Sequence, residues 1–191
     1  MIYAFTNILV FLTEFILSVF VYSILLRFFL NCVKSDFYNP VYRIILCITN
    51  PVIPLLRRII PNIFQVHIAD LFLAYIMTLV KLFLVSLFYS LTFTVVVDWV
   101  NILLAALISL MLMVVNLYIW LVSISSIISW FSSGYRQHPM VVVLQHLTNP
   151  LLNIVRKTFP AASSSFDFSP LIVLSVLYCF QIFIVSIEAI I

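Results

Sequence analysis

Four long apolar stretches, separated by shorter polar and proline-bearing ones, set the pattern of this 191-residue chain. They cover approximately residues 2–30, 68–97, 100–131 and 170–191. Each is longer than the roughly 20 residues that cross a hydrocarbon core, so the pattern predicts four transmembrane helices. The first and third exceed the core thickness and are expected to tilt or protrude. Only Asp98-Trp99-Val100-Asn101 separates the second from the third, a tight polar hairpin that sets Trp99 at interface depth. The N-terminal residues lack a basic n-region and a small-residue cleavage site, so the first stretch is expected to be a retained helix rather than a signal peptide.

The two longer connections repeat each other. Pro40, Thr49-Asn50-Pro51, Arg57-Arg58 and Pro61 recur 99 residues later as Pro139, Thr148-Asn149-Pro150, Arg156-Lys157 and Pro160. The next acid is Asp70 in one half and Asp167 in the other. Seven of the eight prolines lie in these segments, which makes chance a poor explanation. The pattern is an internal repeat of span, basic segment and span, with residues 1–97 as the first copy and 98–191 as the second. Each copy crosses an even number of times, so the copies are parallel and related by an axis along the membrane normal.

Within each segment the prolines predict local structure. Asparagine caps helix N-termini and proline suits the first helical position, so Asn39-Pro40, Asn50-Pro51 and Asn149-Pro150 read as helix starts. A proline also ends the helix before it. Two short helices per segment are therefore expected, at about 40–49 and 51–60, then 139–148 and 150–159. Val41, Ile44, Ile45, Ile48 and Val52 recur at helical spacing, the pattern of amphipathic helices lying in the membrane plane.

Composition agrees with this picture: 65% of residues are hydrophobic and 8% charged, against roughly 45–50% and 25% in soluble domains. A single glycine excludes glycine-rich phosphate loops. Lys34, Arg43, Arg57, Arg58, Arg136, Arg156 and Lys157 all fall in the two repeat connections, with no base in the opposite hairpin or at either terminus. By the positive-inside rule both segments face the cytoplasm and both termini lie on the other side. Arg57, Arg58, Arg156 and Lys157 become candidate contacts for anionic lipid headgroups or a protein partner.

Chemistry at membrane depth is sparse. Glu14 and Lys81 lie at comparable depth in the first copy, and such costly residues are read as an ion pair that fixes packing, as part of a solute or proton path, or as groups relieved by snorkelling or by protonation of Glu14. Asn116 shares a face with Ala105, Ser109 and Ser123, which reads as a packing seam where the amide bonds across helices. Asp70 and Asp167 are expected to stabilise helix N-termini. Cys32, Cys47 and Cys179 are dispersed, and His67, His138 and His146 lie outside the spans, so disulfide, zinc and haem sites are not expected. No catalytic constellation or cofactor site is expected, and no direct contact with nucleic acid.

The duplicated unit resembles the YggT family, also called YlmG, in its two-copy form. The resemblance is carried by Asn39-Pro40, Thr49-Asn50-Pro51, residues 55–61 and Asp70, and by Ser129-Trp130, His138-Pro139, Thr148-Asn149-Pro150, Arg156-Lys157, Pro160, Asp167 and Ser169-Pro170. It departs from a strict repeat at Lys157 and at Asn153, where the first copy has Pro54. The resemblance implies a small bacterial inner-membrane protein without established catalysis. Its relatives are linked indirectly to cell division, osmotic or ion tolerance and assembly of a membrane complex. Two functions are therefore carried forward: a non-enzymatic scaffold or assembly factor, and a small-solute or ion permease using Glu14, Lys81 and Asn116. A second copy of the chain is a further candidate partner.

Overall fold

The computed structural model of the protein describes residues 2–33, 39–50, 68–90, 99–131, 138–158 and 167–189. Among these residues there are six α-helices: α1 (Ile2–Cys32), α2 (Pro40–Thr49), α3 (Ile68–Ser90), α4 (Trp99–Phe131), α5 (Pro139–Thr158) and α6 (Ser169–Glu188). Four of them, α1, α3, α4 and α6, are long and apolar enough to cross a membrane. At 1.5 Å rise per residue α6 is about 30 Å long, close to a hydrocarbon core, whereas α1 and α4 are about 46 and 50 Å and must tilt or project. The predicted helix at 51–60 lies outside the described residues, as does residue 98 of the predicted hairpin.

The first short helix has the predicted bounds because its cap works as expected. Asn39 is extended, and its side-chain oxygen accepts from the Val41 amide at 3.0 Å, while Pro40 opens the helix. Tyr42, Ile45 and Thr49 form its buried stripe. Ile44 and Ile48 are exposed beside Arg43, so the face turned to the protein is not the one the apolar spacing alone selects. His138 plays a similar part for α5, with Nδ1 3.4 Å from the Met140 amide.

The second segment departs from expectation. Residues 139–148 and 150–159 do not form two helices: α5 runs without a break from Pro139 to Thr158 with Pro150 inside it. Pro150 lacks an amide for the carbonyl one turn back and its ring crowds that carbonyl, at a cost of about 3 kcal/mol. Packing on both sides offsets this. Leu147 and Thr148 before the proline, and Leu152 after it, are buried, and each fully buried leucine contributes roughly 1.5–3 kcal/mol. Two such anchors hold the helix through its weak point.

The core is divided around α4. Val21, Ile24 and Leu25 of α1 meet Leu73 and Ala74 of α3 and Leu110 and Met113 of α4. On the other side Val115 and Ile119 of α4 pack on Ile184 of α6, and Val122 packs with Leu152 of α5 and Val173 of α6. The buried positions of α4 thus fall into two sets, Ala106, Leu110, Met113, Leu117 and Val115, Ile119, Val122, Ser126. At 3.6 residues per turn these sets centre about 180° apart, on opposite faces of the helix. Ala105, Ser109, Asn116 and Ser123 lie between them and are half-buried, beside both seams rather than at the centre of either. The short helices join at one end, where Tyr42 and Ile45 of α2, Val143 and Leu147 of α5 and Leu30 of α1 form a common cluster. The Asn39 amide also donates to the Pro139 carbonyl at 2.8 Å, tying the start of α2 to the start of α5.

Candidate functional site

The ends of the spans that meet the short helices carry the concentrated polar chemistry. Arg27, on the last turns of α1, is 4% exposed, and Asp70, in the first turn of α3, is fully buried. Arg27 Nη1 donates to Thr49 Oγ1 at 2.7 Å and to Asn50 Oδ1 at 3.1 Å, while Nε lies 3.9 Å from Asp70 Oδ2. Asn31, one turn beyond Arg27, donates to Asp70 Oδ2 at 3.2 Å and accepts from the Tyr42 hydroxyl at 2.7 Å. The Thr49 hydroxyl donates in turn to the Ile45 carbonyl at 2.8 Å. A guanidinium suits this place because its planar fork reaches several acceptors at once. One network therefore ties α1, α2 and α3, and buries a charge that is tolerable only because it is paired and hydrogen-bonded.

Sequence reasoning passes over Arg27, which is in neither the basic tally of the connections nor the intramembrane set. A usable signal existed: a lone arginine inside an apolar span needs a partner, and Asp70 begins the next span at the same end. Asp70 was expected to serve its helix N-terminus, and in the structure it also faces this cation.

The second half holds a related but more open arrangement. Arg156 donates to Asp167 Oδ2 through Nη2, and through Nε at 3.0 Å. Asp167 Oδ1 accepts from the Ser169 amide at 2.9 Å, at the start of α6. The two side chains are 42% and 32% exposed. Burial acts to raise the Asp167 pKa, but hydrogen bonds from Ser169 and Arg156, and the Arg156 charge, outweigh it and bring the pKa below the usual carboxylate value. Ser125 and Thr148 hydroxyls lie 3.3 Å apart, and Thr148 donates to the Leu144 carbonyl at 2.9 Å. Beside them is a cavity of about 270 Å³ lined by Ser125, Ser126, Gln145, Asn149, Arg156 and Asp167, among others.

Of the remaining candidates among the described residues, only Glu14 and Lys81 lie within electrostatic reach of each other, with Glu188 also near Lys81. Arg57 and Arg58 lie outside the described residues. Lys157 is exposed next to Arg156 near the end of α5. Glu14 sits on the exposed side of α1, in a shallow depression with Phe11, Phe15 and Tyr22. The Lys81 amine lies 3.8 Å from the Met113 sulfur, and no ion pair joins it to Glu14. Asn116 makes no side-chain hydrogen bond among the described residues. Another polar group at membrane depth, Gln181 on α6, has a buried Oε1 without a hydrogen-bond partner among the described residues.

The chain is similar to the uncharacterized protein YggT of Escherichia coli strain K12, with 34% identity over 172 residues, 90% of this chain and 86% of that protein. It is 32% identical over 158 residues to an uncharacterized protein of the proC 3' region of Vibrio alginolyticus, covering 81% of this chain and 82% of the relative. A Haemophilus influenzae protein, also uncharacterized, shares 29% identity over 155 residues, 81% of this chain and 78% of that one. No solved structure matches. The CCB3/YggT family model matches residues 6–88 and 104–187, and the chain belongs to the CCB3/YggT family.

Proposed function

We propose that this chain is a non-enzymatic integral membrane scaffold or assembly factor, in which two parallel copies of one unit present basic, in-plane helices to anionic lipid and a cytoplasmic partner. The observation that carries the reading is the joining of α2 and α5 into one platform. They share the cluster of Tyr42, Ile45, Val143 and Leu147 around Leu30, and the Asn39 amide bonds Pro139. A docking surface needs such a rigid base, and Arg156 and Lys157 stand exposed near one end of it. The duplication is supported by the family match in two stretches and by the recurrence of Thr-Asn-Pro 99 residues apart. The concentration of bases in the two connections supports a cytoplasmic platform in a bacterial inner membrane, with both termini opposite. The permease alternative keeps Glu14 and Lys81 within electrostatic reach of each other, but Glu14 faces outward, the Lys81 amine meets a thioether and Asn116 lies beside the packing seams, so no continuous polar path joins the three among the described residues.

The reading is tested in two steps. Cysteines placed at positions 57 and 156 should both react with a membrane-impermeant reagent only from the cytoplasmic side. Charge reversal at Arg57, Arg58, Arg156 and Lys157 should then abolish crosslinking to the partner captured by the wild type, with insertion unchanged. Labelling of the two positions from opposite sides would end the proposal, as would crosslinking that survives the reversal.

A further inference from the structure

The cavity of the second half occupies the place that Arg27 fills in the first. This correspondence rests on reading the halves as copies. Ser126 stands 99 residues after Arg27, and Asn149 stands 99 after Asn50. Asp167 stands just before α6, two residues short of the exact counterpart of Asp70, and its carboxylate accepts from the Ser169 amide. Thr49 and Asn50, which receive the Arg27 guanidinium, are thus kept at the same offset and an acid remains two residues from the third position, whereas the arginine is replaced by a serine. The threonines match in detail. Thr49 donates to the carbonyl four residues back and accepts from Arg27. Thr148 donates to the carbonyl four residues back, and the Ser125 hydroxyl lies 3.3 Å from its oxygen.

The vacated space has not been refilled with apolar groups. Leu26, Leu30 and Leu46 of the first half have Ser125, Ser129 and Gln145 as counterparts, and all three line the cavity. Deleting an arginine for stability alone would favour larger apolar neighbours, because buried polar groups without partners are costly. Instead three positions are polar where the first half is apolar, around acceptors whose counterparts hold a cation. We infer that this cavity binds a small guanidinium or primary-amine cation, which takes the part that Arg27 plays as a tethered group in the first half. Its N–H groups donate to the Asn149 carbonyl oxygen, the Asp167 carboxylate and the Ser125 hydroxyl. Arg156 already pairs with Asp167, so the incoming cation competes with it. That pair is 42% and 32% exposed, and ion pairs of such exposure are weak enough to yield.

The test uses the full chain in lipid nanodiscs titrated with ethylguanidinium and ethylammonium, followed by saturation-transfer NMR on the small cation. Saturable binding is expected for the wild type. Ser126→Arg should weaken it at least tenfold by placing a built-in guanidinium in the cavity. The pair Ser129→Leu with Gln145→Leu, which restores the residues of the first half, should do the same and covers the case in which Ser126→Arg does not fold. Arg156→Gln should tighten binding several-fold by removing the competitor. Failure of both cations to bind the wild type, meaning that the cavity holds water only, would overturn the inference. So would binding that all these variants leave unchanged. Lys157→Glu separates the two proposals: it should weaken crosslinking to the cytoplasmic partner while leaving cation binding intact.

Discussion

Replacing Arg27 with methionine isolates the contribution of the buried network. Methionine keeps a long flexible stem but removes the guanidinium, so Thr49 and Asn50 lose a donor and Asp70 loses a cation 3.9 Å away. Two charges at that separation interact by about 4 kcal/mol at an effective dielectric near 20. Breaking one side of a buried pair typically costs about 3–5 kcal/mol, because the remaining charge stays in a poor environment. The two estimates agree, so Arg27→Met should lower the folded-to-unfolded ratio by roughly 10²- to 4 × 10³-fold at about 1.4 kcal/mol per tenfold. Asp70→Asn should cost a similar amount. The double variant should lose about 2–3 kcal/mol less than the sum, as groups in contact do. Arg156→Met offers the internal control: its pair with Asp167 is partly exposed, and loss of such a pair costs about 1 kcal/mol or less. Equilibrium unfolding of the purified chain in bicelles measures all four. If Arg27→Met costs no more than Arg156→Met, or if the double variant is simply additive, the network does not hold the helices as argued.

Three further outcomes are expected. The Asp167 carboxyl is held below its ordinary pKa, so its contribution is full above the unfolded value of about 3.9 and is lost as pH falls through the lower folded value; acid titration should show a small destabilisation there in the wild type, absent in Asp167→Asn. Pro150→Ala should stabilise α5 by about 1–3 kcal/mol, since it restores an amide inside a continuous helix; destabilisation in a thermal melt would point to a true break at that proline. Gln181→Leu should be neutral or stabilising by about 1–3 kcal/mol, because it removes a buried oxygen that has no partner; a clear loss of stability in the same bicelle assay would count against that assignment.

The spans were legible in the sequence because crossing a bilayer depends on length and apolarity, which a single chain displays directly. Helix α2 was legible to the residue, since Asn39 and Pro40 act on their own local backbone. The same local rule failed at Pro150, where the outcome depends on what Leu147 and Leu152 touch rather than on the proline itself. Arg27 was hidden for a related reason. Its partners Thr49, Asn50 and Asp70 come from two other helices, and no spacing within α1 announces them. Depth along a helix could be counted for Glu14 and Lys81, but depth does not fix the direction a side chain faces. The expected seam through Asn116 lies half-buried between two packed rows, because α4 packs on two opposite faces, which cancels the one-sided periodicity that marks a buried helix.

That double-faced α4 has a mechanical consequence. It works as a party wall: α1 and α3 lean on one side, α5 and α6 on the other, and the two sides use different rows of residues. Shaving Leu110 should therefore loosen the rooms built from α1 and α3 while those of α6 stand, and shaving Ile119 should do the reverse. A protein built this way can drift in one half without forfeiting the other, which is the condition under which duplicated units become unlike.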